Sequence, residues 1–186
     1  MTSLAEPPQS LLARAAWQVP VALALAALAV VVVGWRPALV LPLYLASVTP
    51  ELCRDDIANH RLPNALVVPG YAVAALGLAW QWLADGTLPW LAVGAGAASF
   101  AFLLLMNLAG GMGMGDVKLA GLLGLALGAL GAIPALAGLV IGFMAGGAAG
   151  LVALVLPGER MLRRIPFGPY LLLGFWAALT ASPTLA

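Results

Sequence analysis

Long apolar runs, separated by short clusters of polar, glycine and proline residues, fall at about 17–35, 37–53, 64–84, 89–108, 118–133, 134–156 and 168–185. Roughly 20 apolar residues at 1.5 Å per residue cross a hydrocarbon core of about 30 Å. The pattern therefore predicts an all-α polytopic bundle of about seven transmembrane helices. The second run is short and holds Pro37, Pro42 and Pro50. Transmembrane helices tolerate proline where neighbours re-satisfy the backbone, and a six-helix alternative would make residues 36–53 re-entrant. Residues 1–16 read as a cytoplasmic tail, and residues 17–186 as one membrane-embedded domain.

Composition agrees with a bilayer. Hydrophobic residues make up 63% of the 186 and charged residues 8%, against roughly 45–50% and 25% in soluble domains. A net charge of +1 and no basic tract longer than Arg163-Arg164 argue against a nucleic-acid partner. The one cysteine, Cys53, and the one histidine, His60, exclude an internal disulfide and a multi-histidine or tetracysteine metal site. No metal or cofactor is expected.

The charges also orient the chain. With the N-terminus in the cytoplasm, Arg14, Arg54, Arg61, Lys118, Arg160, Arg163 and Arg164 fall on the inner side and only Arg36 outside, the arrangement of the positive-inside rule. The first run is longer than a signal-peptide core and ends in Gly34-Trp35-Arg36-Pro37 without a small-residue cleavage site, so it reads as an uncleaved anchor. Glycines at four-residue steps, Gly124 and Gly128, then Gly138, Gly142, Gly146 and Gly150, line up on helix faces where backbones approach closely. These rows predict packing within the chain, with a homodimer as the other use.

The same topology sorts the acids. Glu6 falls in the tail, Asp85 in an outer loop and Glu159 in a basic inner loop. Asp55 and Asp56 at the inner end of the second run, and Asp116 at the start of the fifth, share one level near hydrocarbon, where ionisable groups are costly and are functional candidates. The bland reading pairs them with Arg54, Arg61 or Lys118 as helix-end anchors. Against it stands the segment 110–115, Gly-Gly-Met-Gly-Met-Gly, which has little side-chain bulk and leaves room for an extended backbone beside Asp116. The segment follows a membrane helix, not a strand, and lacks the Lys-Ser/Thr of a phosphate loop. The alternative reading is a plain helix-breaking loop, which gives an acid at its end no reason beyond N-capping. Two facing carboxylates share a proton, and such a pair hydrolyses peptides with one member as base and the other as acid. No serine stands in a Gly-x-Ser-x-Gly setting.

Three motifs carry a resemblance. Gly113-Met114-Gly115-Asp116, followed by Val-Lys-Leu, resembles the Gly-x-Gly-Asp signature of membrane aspartic proteases in the form found in type IV prepilin peptidases. "DIANHRLPN" from Asp56 to Asn64 is similar to that family's first catalytic segment, and "IPFGPYLLLG" at 165–174 to its C-terminal Pro-Phe-Gly-Pro segment. Presenilin-like enzymes share Gly-x-Gly-Asp but place their first aspartate after tyrosine, whereas Asp56 follows Asp55. The chain lacks the paired Cys-x-x-Cys domain of large bifunctional members and resembles the short, peptidase-only members of tight-adherence (Flp-type) pilus systems.

The resemblance implies Asp56 and Asp116 as the catalytic dyad. It also implies substrate-side roles for Gly113, Gly115, Lys118 and Asn64, and leaves His60 as a loop residue. The implied enzyme removes a short basic leader from prepilins, single-span substrates with a hydrophobic N-terminal helix, at the cytoplasmic face of the inner membrane, and does not methylate the product. A non-catalytic membrane subunit or small transporter component, with acids that pair with cations or carry protons, is the rival reading.

Overall fold

The computed structural model describes residues 11–110, 112–155 and 166–182, with side chains at 16–110, 112–152 and 166–182. Glu6, Glu159, Arg160, Arg163, Arg164, Gly111 and the side chain of Arg14, all used above, lie outside the described residues.

Seven α-helices and no strand occur among the described residues: α1 (Leu11–Val33), α2 (Val40–Asn59), α3 (Asn64–Asp85), α4 (Trp90–Leu108), α5 (Met114–Gly128), α6 (Ala132–Val155) and α7 (Gly168–Ala181). A 3-10 turn, Pro37–Leu39, leads into α2. The stretches Ala16–Val33, Asn64–Asp85, Trp90–Leu108 and Ala132–Val152 are long and apolar enough to cross a membrane. This is an all-α membrane bundle.

α5 is its centre. At 15 residues it spans only about 22 Å at 1.5 Å per residue, less than a hydrocarbon core. Yet Val117, Leu119, Ala120, Leu122, Leu123, Ala126 and Leu127 are all buried, and a helix that is apolar all round belongs in an interior. Glycines let its neighbours close in. A Cβ on Gly124 would lie 2.7 Å from the Ala95 carbonyl oxygen, and one on Gly128 2.8 Å from Ala92 Cα, both on α4. On α6, a Cβ at Gly142 would lie 3.0 Å from the Tyr170 oxygen of α7, while Gly146 makes room for the Phe167 ring. These glycines are filled from within the chain, so a dimer has other surface to use.

Two boundaries differ from the pattern in ways that matter to the site. α2 does not stop near Cys53 but runs two turns on to Asn59, where His60 closes it in the left-handed region at φ 50°. That extension puts Asp55 and Asp56 on a rigid helix. α5 begins at Met114 instead of 118 and ends at Gly128 instead of 133. Gly113 takes the extended cap conformation, and Asp116 stands third in the helix and accepts the Gly113 N–H at 3.3 Å, the return half of a capping box. At the far end Pro134 does not mark the break; it sits in the first turn of α6, where a missing N–H costs nothing.

Three exposed tryptophans lie at one end of the bundle, and Trp17, 43% exposed near the start of α1, lies at the opposite end. Trp35 follows α1, Trp82 closes α3 and Trp90 opens α4, exposed by 87%, 47% and 70%. Such rings settle at the membrane–water boundary. Asp56 and Asp116 lie at the other end, beyond the apolar runs of their helices.

Candidate active site

Four segments converge on the two carboxylates: the last turns of α2, the connector 60–63, the first turn of α5 and the first turn of α7. Asp56 is the buried member, only 4% exposed. Its Oδ2 accepts the backbone N–H of Gly168 at 2.8 Å, at the start of α7, where the helix dipole favours an anion. A Cβ on Gly168 would stand 2.9 Å from that same oxygen, so only glycine lets the amide come so close. Asp116, at the start of α5, has one oxygen on Gly113 N–H while its Oδ1 is buried without a partner.

Leu62 joins the two halves. A Cβ on Gly115 would lie 2.9 Å from Leu62 Cβ, and one on Gly168 3.1 Å from Leu62 Cδ2. The connector therefore rests in a notch cut by two glycines, one at the head of each helix. The space beside Gly115 holds Leu62.

Electrostatics couple the pair. Burial pushes the Asp116 carboxyl up to about 6, the Asp56 charge adds to the rise, and the Gly113 N–H pulls back. Burial likewise raises Asp56, against the opposing pull of the Gly168 N–H and of His60. Desolvation outweighs the helix termini in both cases, and one proton on the pair relieves the repulsion.

The neighbouring polar residues are accounted for in other ways. Lys118 Nζ donates to Asn64 Oδ1 at 3.1 Å, and Tyr71 donates to the Lys118 carbonyl at 2.7 Å. The two motif positions thus meet each other, tying the start of α3 to the first turn of α5. Asn107 donates to the Met112 carbonyl at 2.7 Å, bracing the glycine segment from α4. Asp55 lines an open cavity of about 540 Å³ with Asn59, Arg61, Leu62 and Pro63. Arg54 does not pair with it. Its guanidinium binds Glu51 at 2.7 Å, and Glu51 also accepts from Gln18 on α1.

The sequence pattern gives no place to Glu51 or Gly168. The three-residue step from Glu51 to Arg54 is a helical pairing signal once α2 is known to continue. Gly168 stood inside the Pro-Phe-Gly-Pro motif without an assigned task. His60 is a cap, its N–H bonded to the Asp56 carbonyl at 2.8 Å. No group of three His, Cys, Asp or Glu side chains that could hold a metal occurs among the described residues.

Comparison with known proteins adds the family. No curated protein and no solved structure matches the chain. Residues 39–155, more than half of it, match the sequence model of the type IV leader peptidase family. The matched stretch starts at the 3-10 turn and ends with α6, so it contains both aspartates, the connector and the glycine segment. On that match, and with its apolar helices, this chain is a membrane peptidase that belongs to the type IV leader peptidase family.

Proposed function

We propose that the chain is an aspartic-type endopeptidase that removes the leader from type IV or Flp-type prepilins at the cytoplasmic face of the inner membrane, with Asp56 and Asp116 as its dyad. One observation carries the reading: two carboxylates about 60 residues apart in sequence are held at one end of the bundle, electrostatically coupled, one of them with a buried oxygen that has no partner.

With one proton on the pair, the ionised member takes a proton from water as its oxygen attacks the scissile carbonyl carbon, and the protonated member donates to the carbonyl oxygen. In the tetrahedral intermediate the member that took the proton from water gives it to the amide nitrogen as the C–N bond breaks, and a hydroxyl of the intermediate returns its proton to the other member as the carbonyl re-forms, so the pair again holds one proton. A substrate anchored by its own helix is confined to the bilayer, so part of the entropic cost of bringing it to the pair is already met. The cavity at Asp55, Asn59 and Arg61 offers a polar surface beside the pair, suited to the leader on the water side of the cleavage point.

Co-expression with a candidate prepilin tests the reading. Leader loss appears as a gel shift and a new N-terminus on sequencing. A panel of prepilins that all stay full length beside well-inserted enzyme rejects it.

A further inference from the structure

The amide that holds Asp56 comes from the head of α7, 112 residues further on, so the height at which α7 stands along α2 decides whether that amide arrives. Among the described residues, two hydrogen bonds join these helices. One is Gly168 N–H to Asp56 at 2.8 Å. The other, from Trp176 Nε1–H to Thr49 Oγ1 at 3.2 Å, has no part in the chemistry above. Thr49 and Trp176 are both buried, 7% and 8% exposed. Thr49 gives its own hydroxyl proton to the Leu45 carbonyl at 2.6 Å, which leaves its oxygen as a fixed acceptor for the indole.

The two bonds are laid out as a pair. Thr49 and Asp56 are two turns apart on α2, so they share one face at a spacing of about 10.5 Å. Gly168 and Trp176 are separated by a rise of about 12 Å on α7. Chain order is opposite on the two helices, as antiparallel packing requires. The buried side chains between the paired positions, among them Leu52, Leu172 and Phe175, are apolar, and apolar contact is non-directional. It does not by itself choose one height of α7 over another. An indole N–H does, because it is a donor only and burying it unmet is costly. Pro50, directly after Thr49 in α2, has no N–H to give the Ala46 carbonyl, so the helix is least stiff at this point. A bond at Thr49 fixes the joint from which the two turns leading to Asp56 extend.

We propose that Thr49 and Trp176 are positioning residues, whose hydrogen bond sets the height of α7 on α2 at which the Gly168 amide meets Asp56. The effect on cleavage rests on the peptidase reading, whereas the register of the helices does not.

Thr49→Val keeps the shape and removes the hydroxyl, Trp176→Phe removes the donor, and Thr49→Ser keeps an acceptor. Hydrogen exchange of the full chain in detergent, read by mass spectrometry over residues 167–171, tests the register. In that segment the Phe167 carbonyl holds the Tyr170 and Leu171 amides, and Asp56 holds that of Gly168. Thr49→Val and Trp176→Phe should each speed exchange there by about tenfold, the weight of one hydrogen bond to a charged group, with α4 and α5 unchanged. Thr49→Ser should match wild type, and Trp176→Phe carries the test if Thr49→Val does not fold.

The pH profile of kcat/KM on a cleaved prepilin tests the link to Asp56. The titratable groups whose charge Asp56 shares are Asp116 of α5, His60 of the connector and Cys53 of its own helix, and the variants alter none of them. With the Gly168 donor weakened, the ionised form of the pair loses support. The acid limb should move up by about half a pH unit, about a threefold loss on the acid side. A variant that merely folds less well lowers the plateau and leaves the limb in place. Unchanged exchange at 167–171 in both variants, or a rise spread evenly over all the helices, overturns the register. Faster exchange with an unmoved limb overturns the link to Asp56. Wild type that cleaves no prepilin yet shows the exchange pattern rejects the peptidase reading and supports the register.

Discussion

Asp55 and Asp56 are neighbours in sequence but differ in surroundings. One turns to the open cavity, and the other is sealed against the Gly168 amide. Adjacent helix positions point about 100° apart, so only one can meet Asp116. Asp56→Asn and Asp116→Asn should each lower cleavage by at least about 100-fold, the low end of general acid–base contributions, while Asp55→Asn keeps it within a few-fold. A gel-shift assay at matched expression decides; an active Asp56→Asn with a dead Asp55→Asn shifts the dyad by one residue. The place of Asp56 in the motif was legible, because the seven-residue step to Pro63-Asn64 sets the register that the resemblance implies. Its partner Gly168 was not, because a backbone donor 112 residues away leaves no trace in local pattern.

The coupled pair also predicts a pH dependence of stability. Asp116 has an ordinary value of 3.8 when unfolded and about 6 in the fold. The folded state thus holds its proton more tightly, and the resulting stability is full below about pH 4 and is lost as pH rises through about 6. Asparagine does not ionise and still accepts the Gly113 N–H. The melting midpoint of wild type in detergent should fall between pH 4.5 and 7.5, and Asp116→Asn should show a smaller fall and melt higher at pH 7.5. An equal fall in both proteins shows that Asp116 carries no such penalty.

At the scale of elements, Gly113 and Gly115 part company. Gly113 has φ −79°, open to any residue, and a Cβ there would meet only Asp116 Oδ2 at 3.2 Å. At Gly115 the first added carbon would meet Leu62 Cβ at 2.9 Å, and valine adds two methyls with few rotamers to avoid it. Gly115→Val should abolish cleavage while the protein still inserts, because the connector beside Asp56 is pushed off its notch; Gly113→Ala should keep most activity. Near-normal cleavage by Gly115→Val shows that the notch does not position the pair. The helices themselves were legible in the apolar runs, since length and hydropathy are local properties. The start of α5 was not: a run of glycines reads as a break, and only the cap geometry at Gly113 and Asp116 shows the helix beginning inside it.

The whole bundle brings its ionisable groups to its ends. A metal-dependent peptidase needs three or so His, Cys or carboxylate ligands in one place, and the described residues converge only two carboxylates at the site. Cleavage should therefore survive EDTA, and an activity lost to chelation and restored by zinc rejects the metal-free mechanism.

Orientation is also a property of the whole chain. Arg54, Arg61 and Lys118 lie at the end that holds the aspartates, and Arg36 with three exposed tryptophans at the other. Cations resist translocation, so the aspartate end should face the cytoplasm. Cys53 is the only cysteine, and replacing it with alanine leaves a background for single reporters. Ala58, at the end of α2, and Thr87, in the α3–α4 turn, are both exposed and at opposite ends. In intact cells stripped of the outer barrier, a membrane-impermeant maleimide should label Thr87→Cys at once and Ala58→Cys only after the inner membrane is opened. The reverse pattern puts Asp56 and Asp116 on the far side of the membrane, where a leader held in the cytoplasm cannot reach them.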